Sequence, residues 1–83
     1  MTVDNETAKW VIAKNLRGLM AARTPPWSQA ELARAAGESR MTICHLVHGK
    51  RLGSVALIQR IADVFGTTVE ALMTPQVDGD RPW

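Results

Sequence analysis

Three positions within residues 28–49, SQAELARAAGESRMTICHLVHG, constrain this chain more than any other feature. Ala33 is small, Gly37 follows four residues later, and Ile43 places a branched aliphatic six residues after that. Around them run two apolar faces at helical spacing, Leu32, Ala33 and Ala36 in the first segment and Ile43, Leu46 and Val47 in the second. Glycine tolerates the left-handed backbone that a tight inter-helix turn requires, and Ser39 is a fitting N-cap for the second helix. Two helices that cross steeply over so short a turn need a small side chain where their backbones meet. Ala33 supplies it, and Ile43 fills the space above. The pattern predicts a helix, a turn and a second short helix.

QAELA, the Gly37 turn, Ser39, Thr42-Ile43, Leu46 and the Gly49-Lys50-Arg51 exit resemble the phage-repressor and Cro-like, or XRE-type, helix-turn-helix family, over about residues 12–73. The resemblance implies an all-α domain, a compact four- to five-helix lambda-repressor-like unit that binds DNA. Its third helix would enter the major groove, usually as a homodimer on a palindrome, and no cofactor would be needed. The chain departs from the family pattern in three places. Its Thr24-Pro25-Pro26 connector is about two residues longer, and Glu38 stands in the turn where an aliphatic residue is usual, which implies a more solvated corner. Met20 and Val47 occupy the places of an arginine late in the first helix and a glutamate in the third. Losing both ions together exchanges a partly buried pair for an apolar contact and leaves no unpaired charge.

Composition agrees. Eighty-three residues make one small domain without room for a large catalytic cleft. At 46% hydrophobic the chain is too apolar for a disordered tail, and no apolar run approaches a membrane span. MTVDNETAK lacks the hydrophobic centre of a signal peptide, and a single cysteine fits a reducing compartment, so a cytoplasmic protein is expected. Net charge is only +2, but residues 9–60 hold nine of the ten Lys and Arg against Glu31 and Glu38, a balance of +7. Residues 61–83 carry −3. A basic region followed by an acidic end is the footprint of a polyanion-binding face, set against the plainer reading of an ordinary solvated surface.

The first helix is expected over about residues 7–23, burying Ile12, Leu16, Leu19 and Met20, with Pro25 ending it and Trp27 anchoring the entrance to the second. A fourth helix is expected over residues 54–65. Its wide apolar set (Val55, Leu57, Ile58, Ile61, Ala62, Val64, Phe65) marks it as the central core helix, and Gly66 closes it. Thr67-Thr68-Val69-Glu70 reads as a capping box opening a fifth helix, which Pro75 stops. The domain spans residues 1–74, and 75–83 read as a flexible tail.

With Ile43, Leu46 and Val47 inward, Arg40, Met41, Cys44, His45 and His48 face out, and the N-terminal half of this helix enters the major groove in such motifs. Arg40 is the leading candidate for base readout, because its fork matches guanine O6 and N7; the plainer role is a phosphate contact. Met41 and Cys44 offer apolar contact, most naturally to thymine methyls, and His45 can donate or accept. Gln29 resembles the family glutamine that contacts a phosphate, and it sits where free backbone N–H groups favour an anion. Ser39, Thr42, His48, Lys50 and Arg51 join it as phosphate contacts. Cys44 and His48 also stand at the i, i+4 spacing of two metal ligands, but no other Cys or His exists to close a four-ligand site, so no metal is expected. A redox-sensing thiol lacks a resolving partner, and no acid–base pair or nucleophile constellation suggests an enzyme.

The expected function is a sequence-specific DNA-binding transcriptional regulator, most like a small Cro-type or short repressor of a phage or prophage. Its partners would be double-stranded DNA, as a palindromic operator, and a second copy in a weak homodimer using leftover apolar surface of the fifth helix and Trp83. The chain ends soon after that helix, so control would come from concentration, dimerisation or a partner. Two alternatives stand beside it: the antitoxin of a toxin–antitoxin pair, and a protein-interaction module on the same fold that does not bind DNA. The basic 9–60 stretch argues against the second.

Overall fold

The computed structural model describes the backbone of residues 5–75 and the side chains of 7–75. Five helices follow one another: α1 (Asn5–Ala22), α2 (Gln29–Ala36), α3 (Arg40–Val47), α4 (Val55–Phe65) and α5 (Val69–Met73). α1 packs against α3 and α5, α2 against α3 and α4, and α4 against α5. Every helix sends at least one side chain to a common centre, where Ile12, Leu16, Leu32, Ile43, Leu46, Ile61 and Leu72 are fully enclosed. Residues 76–83, including the expected tail and Trp83, lie outside the described residues.

Local sequence explains most of the boundaries. The capping box lies at α2, where Ser28 Oγ accepts from the Glu31 N–H at 3.2 Å and Glu31 Oε1 accepts from the Ser28 N–H at 2.7 Å. That backbone donor, ahead of the Ser28 hydroxyl, holds the Glu31 carboxyl below its ordinary pKa. The box is therefore complete at neutral pH; its carboxylate half weakens as pH falls through that lowered value, while the Ser28 hydroxyl keeps its bond. Gly37 closes α2 in the left-handed region, with φ 68°. Ser39 caps α3 through the Thr42 N–H, and Ser54 caps α4 through the Leu57 N–H.

The structure corrects four expectations. α1 begins at Asn5 and ends at Ala22, and Leu19 within it is only half-buried. The expected Thr67–Glu70 capping box does not form. Thr68 is the N-cap of α5 and accepts from the Ala71 N–H, so the residue three positions on is an alanine without a side chain to reach back. α4 buries a single stripe of Leu57, Ile58, Ile61 and Ala62, while Val55 at its first position is 80% exposed. The most enclosed helix is α1, which contributes Ala8, Val11, Ile12, Ala13, Asn15, Leu16 and Met20 to the interior. The Glu38 corner is not simply solvated. Its carboxylate accepts from the Ser39 N–H at 3.0 Å and pairs with Arg60 of α4 at 3.4 Å.

The long connector folds onto the body. The Trp27 N–H donates to the Met20 carbonyl, and the Trp27 ring lies 5.7 Å from that of Phe65. The Arg23 guanidinium stacks 4.3 Å from the Trp27 ring centre and donates to the Val64 carbonyl at 3.0 Å. Trp27 thus anchors the entrance to α2, as its position suggests, with α4 as the other side of the contact.

Asn15 is the buried polar side chain that the apolar pattern did not reveal. Its Nδ2 donates to the carbonyls of Leu72 at 2.6 Å and Thr74 at 3.0 Å, which have no helical partner at the end of α5. Asn15→Ala should cost about 1–3 kcal/mol, because buried carbonyls lose their donors. Asn15→Asp should cost more, since a carboxylate offers those carbonyls only acceptors. Thermal unfolding checks both, with about 4–8 °C of midpoint per kcal/mol in a domain of this size. An unchanged midpoint in Asn15→Ala would remove this latch from the account.

Candidate nucleic-acid interface

The candidate surface is built from the N-terminal end of α2, the exposed side of α3 and the Gly49–Arg51 turn. Gly37 in the left-handed region reverses the chain within three residues, and the Glu38 N–H donates to the Ala33 carbonyl at 2.9 Å. This fixes α3 across α2, with Ala33 and Ile43 both in the core. α1 braces the other side of α3, and Arg17 donates from it to the Val47 carbonyl, a cation at a helix C-terminus. An arginine of the first helix therefore does reach the third, toward backbone at the place where the family pattern would have used a glutamate. Met20 and Val47 are both buried in the same cluster, as an apolar exchange requires.

Held between two neighbours, α3 exposes a narrower arc than its sequence pattern implies. Arg40, Met41 and His48 are exposed, whereas Thr42, Cys44 and His45 are only half-buried. Met41 is 69% exposed, an apolar side chain left in water. His45 is the clearest correction. It was expected on the outward face, yet its Nδ1 is buried without a hydrogen-bond partner among the described residues, which leaves only the other edge of the ring to face a ligand.

The phosphate candidates also sort by what their polar atoms already do. Lys50 and Arg51 are exposed, and Gln29 is half-exposed at the first position of α2. The Ser39 hydroxyl accepts from the Thr42 N–H and donates to Thr42 Oγ1 at 2.9 Å, so the donor this pair can still offer outward is the Thr42 hydroxyl. His48 Nδ1 lies 2.8 Å from the Cys44 carbonyl, which can only accept, so this nitrogen carries the proton. Nε2 of the neutral ring is then an acceptor, and His48 donates to a phosphate only when it is protonated. Not all of the basic stretch is free for an anion. Arg17, Arg23 and Arg60 are engaged in the fold, while Arg34, Arg40, Lys50 and Arg51 remain exposed cations. Nothing in the sequence separates these two sets, because each partner comes from a distant part of the chain.

No group of three or more His, Cys, Asp or Glu residues is arranged to hold a metal ion among the described residues. Nor is any helix among them long and apolar enough to cross a membrane.

A helix-turn-helix family model matches residues 27–72, more than half of the chain and the whole of α2 to α4. The chain belongs to the XRE-type helix-turn-helix family. Among solved structures it is similar to a hypothetical transcription factor, NHTF, from Neisseria, with 25% identity and a TM-score of 0.75 over 90% of this chain and 84% of that one. No curated protein matches it. As a helix-turn-helix family member with this fold, it carries the elements that present a third helix to DNA.

Proposed function

We propose that this helix-turn-helix protein is a cytoplasmic, non-enzymatic DNA-binding transcriptional regulator, of the small Cro-type or short-repressor kind found in phages and prophages. The observation that carries the reading is the combination at α3: a helix locked in orientation by the Gly37 turn, with Arg40 and Met41 exposed at its N-terminal end and cations at its exit. Side chains at that end reach base edges in the major groove, while contacts from the flanks set register on the backbone. Arg40 reads a guanine. Met41 packs on a thymine methyl, with Cys44 beside it. Gln29, Thr42, Lys50 and Arg51 hold phosphates. Ser39 supports Thr42, and His45 and His48 contribute through the edges of their rings left open.

The operator is palindromic and is bound by a homodimer that is weak in free solution and tightens on DNA. Selection from random duplex DNA tests this reading, because it reports binding and site geometry together. The expected product is an inverted repeat with half-site centres about 10 bp apart, which places both recognition helices on one face of the duplex. Recovery of random sequence, with no enrichment over rounds, would contradict sequence-specific binding. A single enriched half-site would contradict the dimer.

A further inference from the structure

His45 carries a buried polar atom that nothing in the fold uses. Its Nδ1 is enclosed and has no hydrogen-bond partner among the described residues. Nε2, on the opposite edge of the ring, has no partner among them either, but it is not enclosed. The neutral ring has one proton to place between these two atoms. On Nδ1 it would make a buried N–H without an acceptor, an orphan that folded chains rarely keep. On Nε2 it reaches water or a ligand, and the enclosed edge is left with a lone pair, which is tolerated better. The proton therefore sits on Nε2, and the ring turns a donor outward. His48, three residues on, is the reverse. Its Nδ1 lies 2.8 Å from the Cys44 carbonyl and holds the proton, so its Nε2 is a bare acceptor. One helix thus presents two imidazoles of opposite polarity.

Position limits what the His45 donor can meet. It lies one turn after Met41 on the outward side of α3, whereas the phosphate candidates lie at the start of α2 and in the Gly49–Arg51 turn. With one edge enclosed, the ring is not free to swing toward those flanks. In the major groove an outward N–H is satisfied by guanine O6 or N7, adenine N7 or thymine O4, and it is opposed by the amino groups of cytosine and adenine.

We propose that His45 is a specificity-determining residue whose neutral ring is fixed as an Nε2–H donor and takes one acceptor atom of a base edge. The base contact rests on the proposed function; the fixed donor rests on the fold alone.

Long-range proton–nitrogen correlation spectra of the imidazoles, taken on the whole chain without DNA and with both rings neutral, read the tautomers. The expected spectrum has a bare Nδ1 at His45 and a bare Nε2 at His48, and either His45→Phe or His48→Asn removes one set and assigns the other. A proton on His45 Nδ1, alone or in even exchange with Nε2, would overturn the inference. On a selected operator, His45→Phe should bind about threefold to tenfold more weakly, the worth of one hydrogen bond. Bases lacking a single acceptor, such as 7-deazapurines for N7 or thio bases for O6 and O4, are then placed one at a time in the half-site. One of them should weaken the wild type by a similar factor and make no difference to His45→Phe. If every acceptor change affects both proteins equally, or if removal of an amino group is what separates them, the base contact is overturned. Wild-type binding without any base preference would remove the base contact together with the proposed function, and the spectrum would still decide the donor.

Discussion

Val47→Glu is expected to destabilise the domain by about 2–4 kcal/mol, a large part of the 5–15 kcal/mol that holds a typical domain together. Val47 is 2% exposed and lies in the cluster that contains Met20, Leu46 and Ile43. A carboxylate placed there loses water and finds no partner within the apolar cluster. An uncompensated buried charge costs about 3–5 kcal/mol; the expected value is somewhat lower because Arg17 already stands at the Val47 carbonyl and offsets part of it. Urea unfolding measures the change as a shift in midpoint at constant slope. Met20→Arg combined with Val47→Glu should recover part of the loss, by restoring an ion pair where the family pattern has one. Additive losses in the double variant would show that positions 20 and 47 are not neighbours.

Arg40→Ala carries the second large effect. On the preferred operator it should cost about 1–3 kcal/mol, and on random duplex much less, with discrimination lost at one base pair. Arg40 is exposed at the first residue of α3, where an extended guanidinium reaches a base edge. Lys50 is exposed after the helix, where the backbone passes, so Lys50→Ala should weaken specific and random binding by similar factors. Equal losses on both DNAs for Arg40→Ala would make Arg40 a phosphate clamp and move base reading to its neighbours. Replacing single thymines with uracil locates the methyl contact of Met41 in the same assay.

These expectations rest on features that differ in how legible they were in the sequence. The inter-helix turn was readable from Ala33, Gly37 and Ile43, because its steric requirement is local and few residue types meet it. The core faces of α2 and α3 were readable for the same reason. Legibility failed where a long-range partner decides. Asn15 looks like any polar residue on α1 until the end of α5 is seen above it. Arg23 counts as surface charge until Trp27 and Phe65 enclose it. At Thr67 and Thr68 a one-residue choice of cap went to the second threonine, and two adjacent candidates of one type give no basis for choosing between them. In the candidate interface the sequence pattern separates the inner from the outer side of α3, but not the burial of His45 Nδ1. An eight-residue helix shows which side is apolar, not how closely its two neighbours close around the rest.

In the proposed function the α3 face and its exposed cations bind a polyanion in register. Affinity for the selected operator, measured by titration across a range of salt concentration, tests it most directly, because each neutralised phosphate releases counterions. Phosphate binding by these cations predicts a straight fall of log affinity with log salt, of slope magnitude about 4–8 for a small dimer, lowered by about one per protomer contact removed in Lys50→Ala. Affinity that is retained with a slope near zero would contradict it.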